Sequence, residues 1–96
     1  MSPAPDDLGP VRVRIPTPLR SYTAGAASVT AIGTTVGEVL DDLDRRFPGL
    51  QFRVVDEQRR MRPHMVVWLR GERCRDLDAD VRPDDEVVLM QALSGG

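Results

Sequence analysis

The segment Thr34–Gly49, TTVGEVLDDLDRRFPG, decides the fold because it predicts the one long helix of the chain. Thr34 or Thr35 can cap the first turn, and Glu38 completes a capping-box pattern after Thr35. The pair Pro48-Gly49 then ends the helix. The apolar residues recur at the three- and four-residue spacing of one helix face: Val36, Val39, Leu40, Leu43 and Phe47.

Two strands are predicted before this helix. The stretch Val11–Ile15, VRVRI, alternates valine or isoleucine with arginine, as a half-buried strand does. Ala27–Ile32 is a weaker strand candidate. The prolines of Pro16–Pro18 interrupt regular pairing, and Leu19–Gly25 forms a connection. The length of this gap suits an antiparallel hairpin with a long turn.

Two further strands are predicted after the helix. Met65–Leu69, MVVWL, is the most apolar run of the chain, and Glu86–Gln91, EVVLMQ, is the last strand. Leu50–Val55 is short and apolar, and its pattern fits either a turn of helix or a bridging strand. The remaining segments are predicted to be a charged loop, a turn and a polar irregular stretch: Asp56–Pro63, Arg70-Gly71 and Cys74–Asp85.

The order strand, strand, helix, strand, strand predicts an α+β domain in which one main helix packs across a mixed sheet. We expect the first and last strands to form the central parallel pair, which gives the β-grasp fold of ubiquitin. The predicted organisation is a disordered leader at 1–10, a β-grasp domain at 11–92 and a flexible Gly-Gly tail at 93–96.

Composition excludes several function classes. The 13 basic and 15 acidic residues leave no net basic surface for nucleic acid, so no nucleic-acid partner is expected. No apolar run is long enough to cross a bilayer, the first residues do not resemble a signal peptide, and no membrane partner is expected. The single cysteine favours the reducing cytoplasm. Every basic residue is arginine, so no lysine amine is present.

The usual catalytic groupings are also absent from the sequence. His64 stands alone beside a charged loop, and Cys74 has arginine neighbours but no orienting histidine. There is no Cys/His cluster for zinc and no glycine loop that would cradle a phosphate. The sequence therefore predicts a protein that is not itself an enzyme and binds no metal or cofactor.

The C-terminal carboxylate of Gly96 is the remaining candidate for chemistry. Gly95 and Gly96 have no side chains, so an extended chain ending in them can enter a narrow channel. A carboxylate becomes reactive when another enzyme adenylates it with ATP, and a sulfur donor can then convert it to a thiocarboxylate. Ser94 belongs to the same unhindered arm.

The terminal Gly-Gly after a final apolar strand resembles the ThiS/MoaD family of sulfur carrier proteins. Within that family, VRVRIPTPLRSYTAG and SVTAIGTTVGEVLDDLDRRFPGL are most similar to the carriers of cysteine biosynthesis. The resemblance implies that a ubiquitin-activating-type adenylyltransferase and sulfurtransferase acts on Gly96. It also implies a sulfur-accepting enzyme, either cysteine synthase-like or specific to another pathway such as natural product biosynthesis. A metal-dependent hydrolase would then free the new amino acid from the carrier.

Strand alternation predicts where the activating enzyme docks. If the odd-numbered residues of Met65–Leu69 face the helix, Val66 and Trp68 face the opposite side of the sheet. The same alternation in the last strand directs Val88 and Met90 to that opposite side. The predicted docking surface therefore comprises Trp68, Val88, Met90 and the neighbouring anchor Leu93.

Three other functions fit the same features. The chain could be the small subunit of a molybdopterin-synthase-like complex, with its tail inserted into a larger catalytic partner. It could be a ubiquitin-like modifier that forms isopeptide bonds through Gly96, although the absence of lysine prevents lysine-linked chains of itself. It could also be a plain interaction domain with an incidental Gly-Gly end.

Overall fold

The computed structural model describes residues 9–92, and these residues form a five-stranded sheet with one long helix packed across it. The elements in chain order are β1 (Val11–Arg14), a 3-10 helix (Thr17–Thr23), β2 (Ser28–Ala31), α1 (Val36–Arg46), α2 (Leu50–Val54), β3 (Met65–Leu69), β4 (Glu72–Cys74) and β5 (Glu86–Gln91).

The strand order across the sheet is β2-β1-β5-β3-β4. The central strands β1 and β5 are parallel, whereas every other neighbouring pair is antiparallel. This topology confirms the predicted mixed sheet and the predicted pairing of the first strand with the last. The chain therefore leaves the sheet from the end of a central strand.

Helix α1 begins as its sequence predicts, with one difference in the cap. Thr35 is the N-cap, and its hydroxyl accepts a hydrogen bond from the Glu38 N–H at 3.1 Å. The Glu38 carboxylate accepts hydrogen bonds from the backbone N–H and the hydroxyl of Thr34, each at 2.8 Å. In the predicted capping box this carboxylate would instead bond the backbone N–H of the N-cap residue, Thr35. The two hydrogen bonds from Thr34 favour the ionised carboxylate and lower the pKa of Glu38.

The core lies between α1 and the inner sheet face, which is the face that α1 covers. The predicted apolar stripe of α1 is buried there, apart from the partly buried Phe47 at its end. The strands contribute their alternate residues to the same core, chiefly Val11, Val13, Met65, Val67, Leu69, Val87 and Leu89. Burial of this apolar area is the main stabilising term for the fold.

The fifth strand, β4, was missed from the sequence: Cys74 was assigned to an irregular stretch, and Glu72 and Arg73 were assigned to no element. Arg70 and Gly71 have φ values of 52° and 81°, the left-handed geometry of a tight two-residue hairpin turn. The chain therefore folds straight back after β3, and Leu69 pairs with Glu72. The sequence predicted a turn at Arg70-Gly71. It did not predict that this turn closes a hairpin, so the strand that follows was not predicted either.

Smaller differences concern element ends. The connection predicted at Leu19–Gly25 largely forms a 3-10 helix, and the segment at Leu50 forms a short helix, one of its two predicted alternatives. The strand predicted to end at Ile15 ends at Arg14, although the Ile15 N–H still donates to the Ala27 carbonyl at 2.9 Å.

Both predicted terminal segments fall largely outside the described residues: all of 93–96, and 1–8 of the predicted leader. Within 9–92, no helix is both long enough and apolar enough to span a membrane.

Candidate functional site

The predicted reactive tail, Leu93, Ser94, Gly95 and Gly96, lies outside the described residues, but the structure fixes the point where it begins. The Ala92 N–H donates a hydrogen bond to the carbonyl of His64 at 2.7 Å. The last described residue is thereby attached to the segment that precedes β3. Gln91, the residue before Ala92, lines a surface groove together with residues of the 3-10 helix and α2.

The predicted alternation of β3 and β5 is confirmed. Val66 and Trp68 pair across the sheet with Met90 and Val88, and none of the four belongs to the core cluster. They lie on the outer face, which is the sheet face opposite α1, and we call these four residues the outer patch. Met90 is 46% exposed, Trp68 and Val88 are half-buried, and Val66 is 7% exposed. The patch is apolar, and Met90 lies two residues before Ala92, where the described part of the chain ends.

A single row of residues crosses all five strands through this patch. From edge to edge, the paired residues are Ser28, Arg14, Val88, Trp68 and Arg73. Since residues paired across strands share a face, Arg14 and Arg73 flank the two central apolar residues on opposite sides. The sequence prediction did not include either arginine. The Arg12/Arg14 alternation signalled the outer face, but the register that places Arg14 beside Val88 was needed to find it.

The two flanking arginines carry positive charge that the described part of the chain does not neutralise. The five ion pairs found within residues 9–92 involve other arginines. Both Arg14 and Arg73 are exposed. An apolar centre with basic flanks suits a protein partner whose apolar contact is bordered by acidic residues.

Cys74 is not part of this surface. It pairs with Val67 in β4, is partly buried and packs against the core. Its thiol lies 3.5 Å from the Asp76 carbonyl oxygen, to which it can donate. In residues 9–92 no group of three or more His, Cys, Asp or Glu side chains is arranged to hold a metal ion. The outer patch, and Ala92 as the last described residue before the predicted tail, are therefore the features that sequence and geometry together single out.

Comparison with protein families gives a match over most of the chain. The model of the ThiS family matches residues 13–96, a range that includes the terminal Gly95-Gly96. The chain is 34% identical over 91 residues to the sulfur carrier protein CysO of Mycobacterium tuberculosis, covering 90% of this chain and 98% of that protein.

Solved structures agree with the sequence match. A CysO complex with BexX from Amycolatopsis orientalis contains a chain that is 37% identical, with a TM-score of 0.83 over 90% of this chain and 99% of that one. The M. tuberculosis CysO structure has a TM-score of 0.81 at 31% identity, covering 86% and 99%. SAMP1 of Haloferax volcanii, a small archaeal modifier protein, has a TM-score of 0.76 at 28% identity, covering 92% and 100%.

Proposed function

Because the chain belongs to the ThiS family, we propose that it is a sulfur carrier whose Gly96 carboxylate becomes a thiocarboxylate. The observation that carries this proposal is the extent of the family match, which runs through the C-terminal Gly95-Gly96. The similarity to CysO, a sulfur carrier protein, over nearly its whole length supports the same role. On this proposal the chain is a protein substrate of other enzymes and binds no cofactor of its own.

Two steps, both in an activating partner, would load the sulfur. A carboxylate oxygen of Gly96 attacks the α-phosphate of ATP, pyrophosphate leaves, and a mixed acyl–AMP anhydride forms. Sulfide sulfur from a donor then attacks the carbonyl carbon and AMP leaves with its oxygen, so that one carboxylate oxygen is replaced by sulfur. The partner would be an adenylyltransferase of the ubiquitin-activating type with sulfurtransferase activity. Glycine at the last two positions keeps side chains out of its active-site channel.

The outer patch is the proposed contact with that partner. Trp68, Val88 and Met90 offer an apolar centre next to the tail, with Leu93 as the anchor that follows. Arg14 and Arg73 extend the predicted surface on either side and would pair with carboxylates of the enzyme. Contact at this face would hold the domain while the adjacent tail reaches the nucleotide.

The loaded sulfur would then pass to a separate acceptor enzyme. The relative in A. orientalis forms a complex with BexX, which supports a carrier that works by docking to other proteins. We propose a cysteine synthase-like or pathway-specific acceptor for this chain. In the cysteine route, a metal-dependent hydrolase would release the amino acid afterwards.

A second candidate function is protein modification, which the similarity to SAMP1 favours. In that case the activated Gly96 carboxyl would form isopeptide bonds with lysines of other proteins. The two functions share the adenylation step and differ in the final product, which is a thiocarboxylate for a carrier and a higher-mass conjugate for a modifier.

Removal of Gly96 alone is expected to lower ATP–pyrophosphate exchange by the cognate adenylyltransferase at least ~100-fold, because the carboxylate would stop one residue short of the reacting phosphate. The matched control is Ser94→Ala, which keeps the length of the tail and its terminal carboxylate. Equal exchange rates for the shortened chain and the full chain would refute Gly96 as the adenylated residue.

A further inference from the structure

Strand β2 forms the longer of the two edges of the described sheet. The Ile15 N–H donates to the Ala27 carbonyl at 2.9 Å, which sets the alternation of hydrogen bonds between β1 and β2. In this register the backbone N–H and C=O groups of Ser28 and Thr30 point away from β1, toward the open edge. Backbone groups exposed in this way can template pairing with a strand of another chain.

Two side chains of α1 reach this edge. The Asp42 carboxylate accepts a hydrogen bond from the Ile32 N–H at 3.0 Å, and the Arg46 guanidinium donates to the Thr30 carbonyl. The same two side chains form an ion pair with each other at 3.0 Å. Together they offer an acceptor and a donor to the backbone groups on either side of Ala31, as the backbone of a neighbouring strand would.

The Asp42 carboxylate is held firmly in this position. Its side chain is only 18% exposed, and it also pairs with Arg45 at 2.8 Å. Desolvation opposes its ionisation, but the hydrogen bond from the Ile32 N–H and the two arginines outweigh that effect and lower the pKa of Asp42. An ion pair between residues four apart on an exposed helix stabilises little by itself, so stability alone is a weak explanation for the arrangement.

The opposite edge of the sheet has a different protection. Strand β4 has three residues, Glu72–Cys74, of which Glu72 and Arg73 are charged. Short edge strands with charged side chains pair poorly with other strands. Strand β2 is one residue longer and its sequence, SVTA, carries no charge, so β2 is the edge that needs a cover.

We propose that the Asp42–Arg46 pair closes the β2 edge against a second copy of this chain and so keeps the chain monomeric. Two copies would meet most simply about a two-fold axis, with their β2 strands antiparallel and their sheets joined into one. The Thr30 carbonyl, which such a pairing would use, is already occupied by Arg46. Since Ser28 pairs with Arg14, a second copy at this edge would lie beside one basic flank of the outer patch. The monomeric state does not depend on sulfur chemistry at the tail.

The test removes both side chains in Asp42→Ala/Arg46→Ala and measures the mass by sedimentation equilibrium. We expect the unaltered chain to keep the monomer mass, and the mass of the double variant to rise toward that of a dimer with increasing concentration. The matched control is Asp41→Ala/Arg59→Ala, which removes another ion pair of α1 and likewise leaves the net charge unchanged. A monomeric Asp42→Ala/Arg46→Ala variant, a dimeric unaltered chain or equal association of the two variants would overturn the proposal.

A proline shows whether the association runs through β2. Thr30→Pro, added to Asp42→Ala/Arg46→Ala, removes an N–H group from the open edge, a position where a strand tolerates proline. The triple variant should return to the monomer mass. Association that persists in it would place the contact elsewhere and contradict the proposal. Signal dispersion in ¹⁵N–¹H NMR spectra shows whether each variant is folded.

Hydrogen exchange tests the cover in the unaltered chain. The Ile32 amide should exchange at least ~10-fold more slowly than the Thr30 amide, because the Ile32 N–H donates to Asp42 whereas the Thr30 N–H points to the open edge. Equal exchange rates of these two amides would mean that Asp42 does not cover the edge, and the proposal would fail without any substitution.

Discussion

The Met90→Arg variant is expected to keep its fold and to bind the cognate adenylyltransferase at least ~10-fold more weakly than the unaltered chain. Met90 is 46% exposed and pairs with Val66 in the outer patch, next to Trp68. An arginine there would bring a charge into the apolar centre of the contact, where desolvation is unfavourable. Isothermal titration calorimetry with the purified enzyme measures the change in Kd.

Ile32→Arg is the matched control for this experiment. Ile32 is exposed to a similar extent, 51%, but it follows β2 and lies outside the outer patch. The control should bind with unchanged affinity, because Ile32 lies outside the proposed contact. The two variants are matched because each adds one positive charge at an exposed apolar position. Equal Kd values for Met90→Arg and the unaltered chain, or equal weakening by both variants, would rule out the outer patch as the docking surface.

The Leu43→Ala variant is expected to lower the free energy of unfolding by about 2–5 kcal/mol. Leu43 is fully buried in the centre of α1, and its removal would leave a cavity between the helix and the sheet. A domain of this size is stabilised by only about 5–15 kcal/mol in total, so this loss is a large fraction of the stability. Urea denaturation followed by circular dichroism measures the loss.

Leu77→Ala provides the comparison for Leu43→Ala. Leu77 is only partly buried and packs at the margin of the core. It also contributes through its carbonyl, which accepts the Gly37 N–H at 2.8 Å and is retained by alanine. Its substitution should therefore cost clearly less. A loss equal to that of Leu43→Ala would mean that the interior of α1 does not dominate the stability of the fold.

The helix and the two central strands could be predicted because local pattern and tertiary structure agree at these positions. Thr35 caps α1, its apolar stripe is buried, and the alternation of Val11–Arg14 matches its burial residue by residue. β5 was predicted with its observed ends, Glu86–Gln91. In each case one periodicity extends over enough residues to determine both the element and its buried face.

β4 could not be predicted in the same way, because its pattern is short and polar. It has three residues, Glu72–Cys74, and the strand exists because the turn before it reverses the chain against β3. The turn depends on Arg70 at a φ of 52°, a conformation that few residues other than glycine adopt. Sequence preference alone does not favour arginine there.

The candidate site was predicted only in part, because the sequence does not reveal the register in which neighbouring strands pair. Alternation within β3 and β5 was sufficient to place Trp68, Val88 and Met90 on one face. Alternation says nothing about which residues of neighbouring strands lie side by side, so Arg14 and Arg73 were found only from the pairing itself.

The central claim is that Gly96 carries sulfur, and intact-mass spectrometry tests it most directly. The full-length chain would be incubated with its cognate adenylyltransferase, ATP and a sulfide source, with omission of ATP as the control. We predict an ATP-dependent mass increase equal to the replacement of one oxygen by sulfur, which fragmentation of the C-terminal peptide assigns to Gly96. Adenylation of the chain without this oxygen-to-sulfur mass increase after sulfide treatment would contradict the sulfur-carrier function.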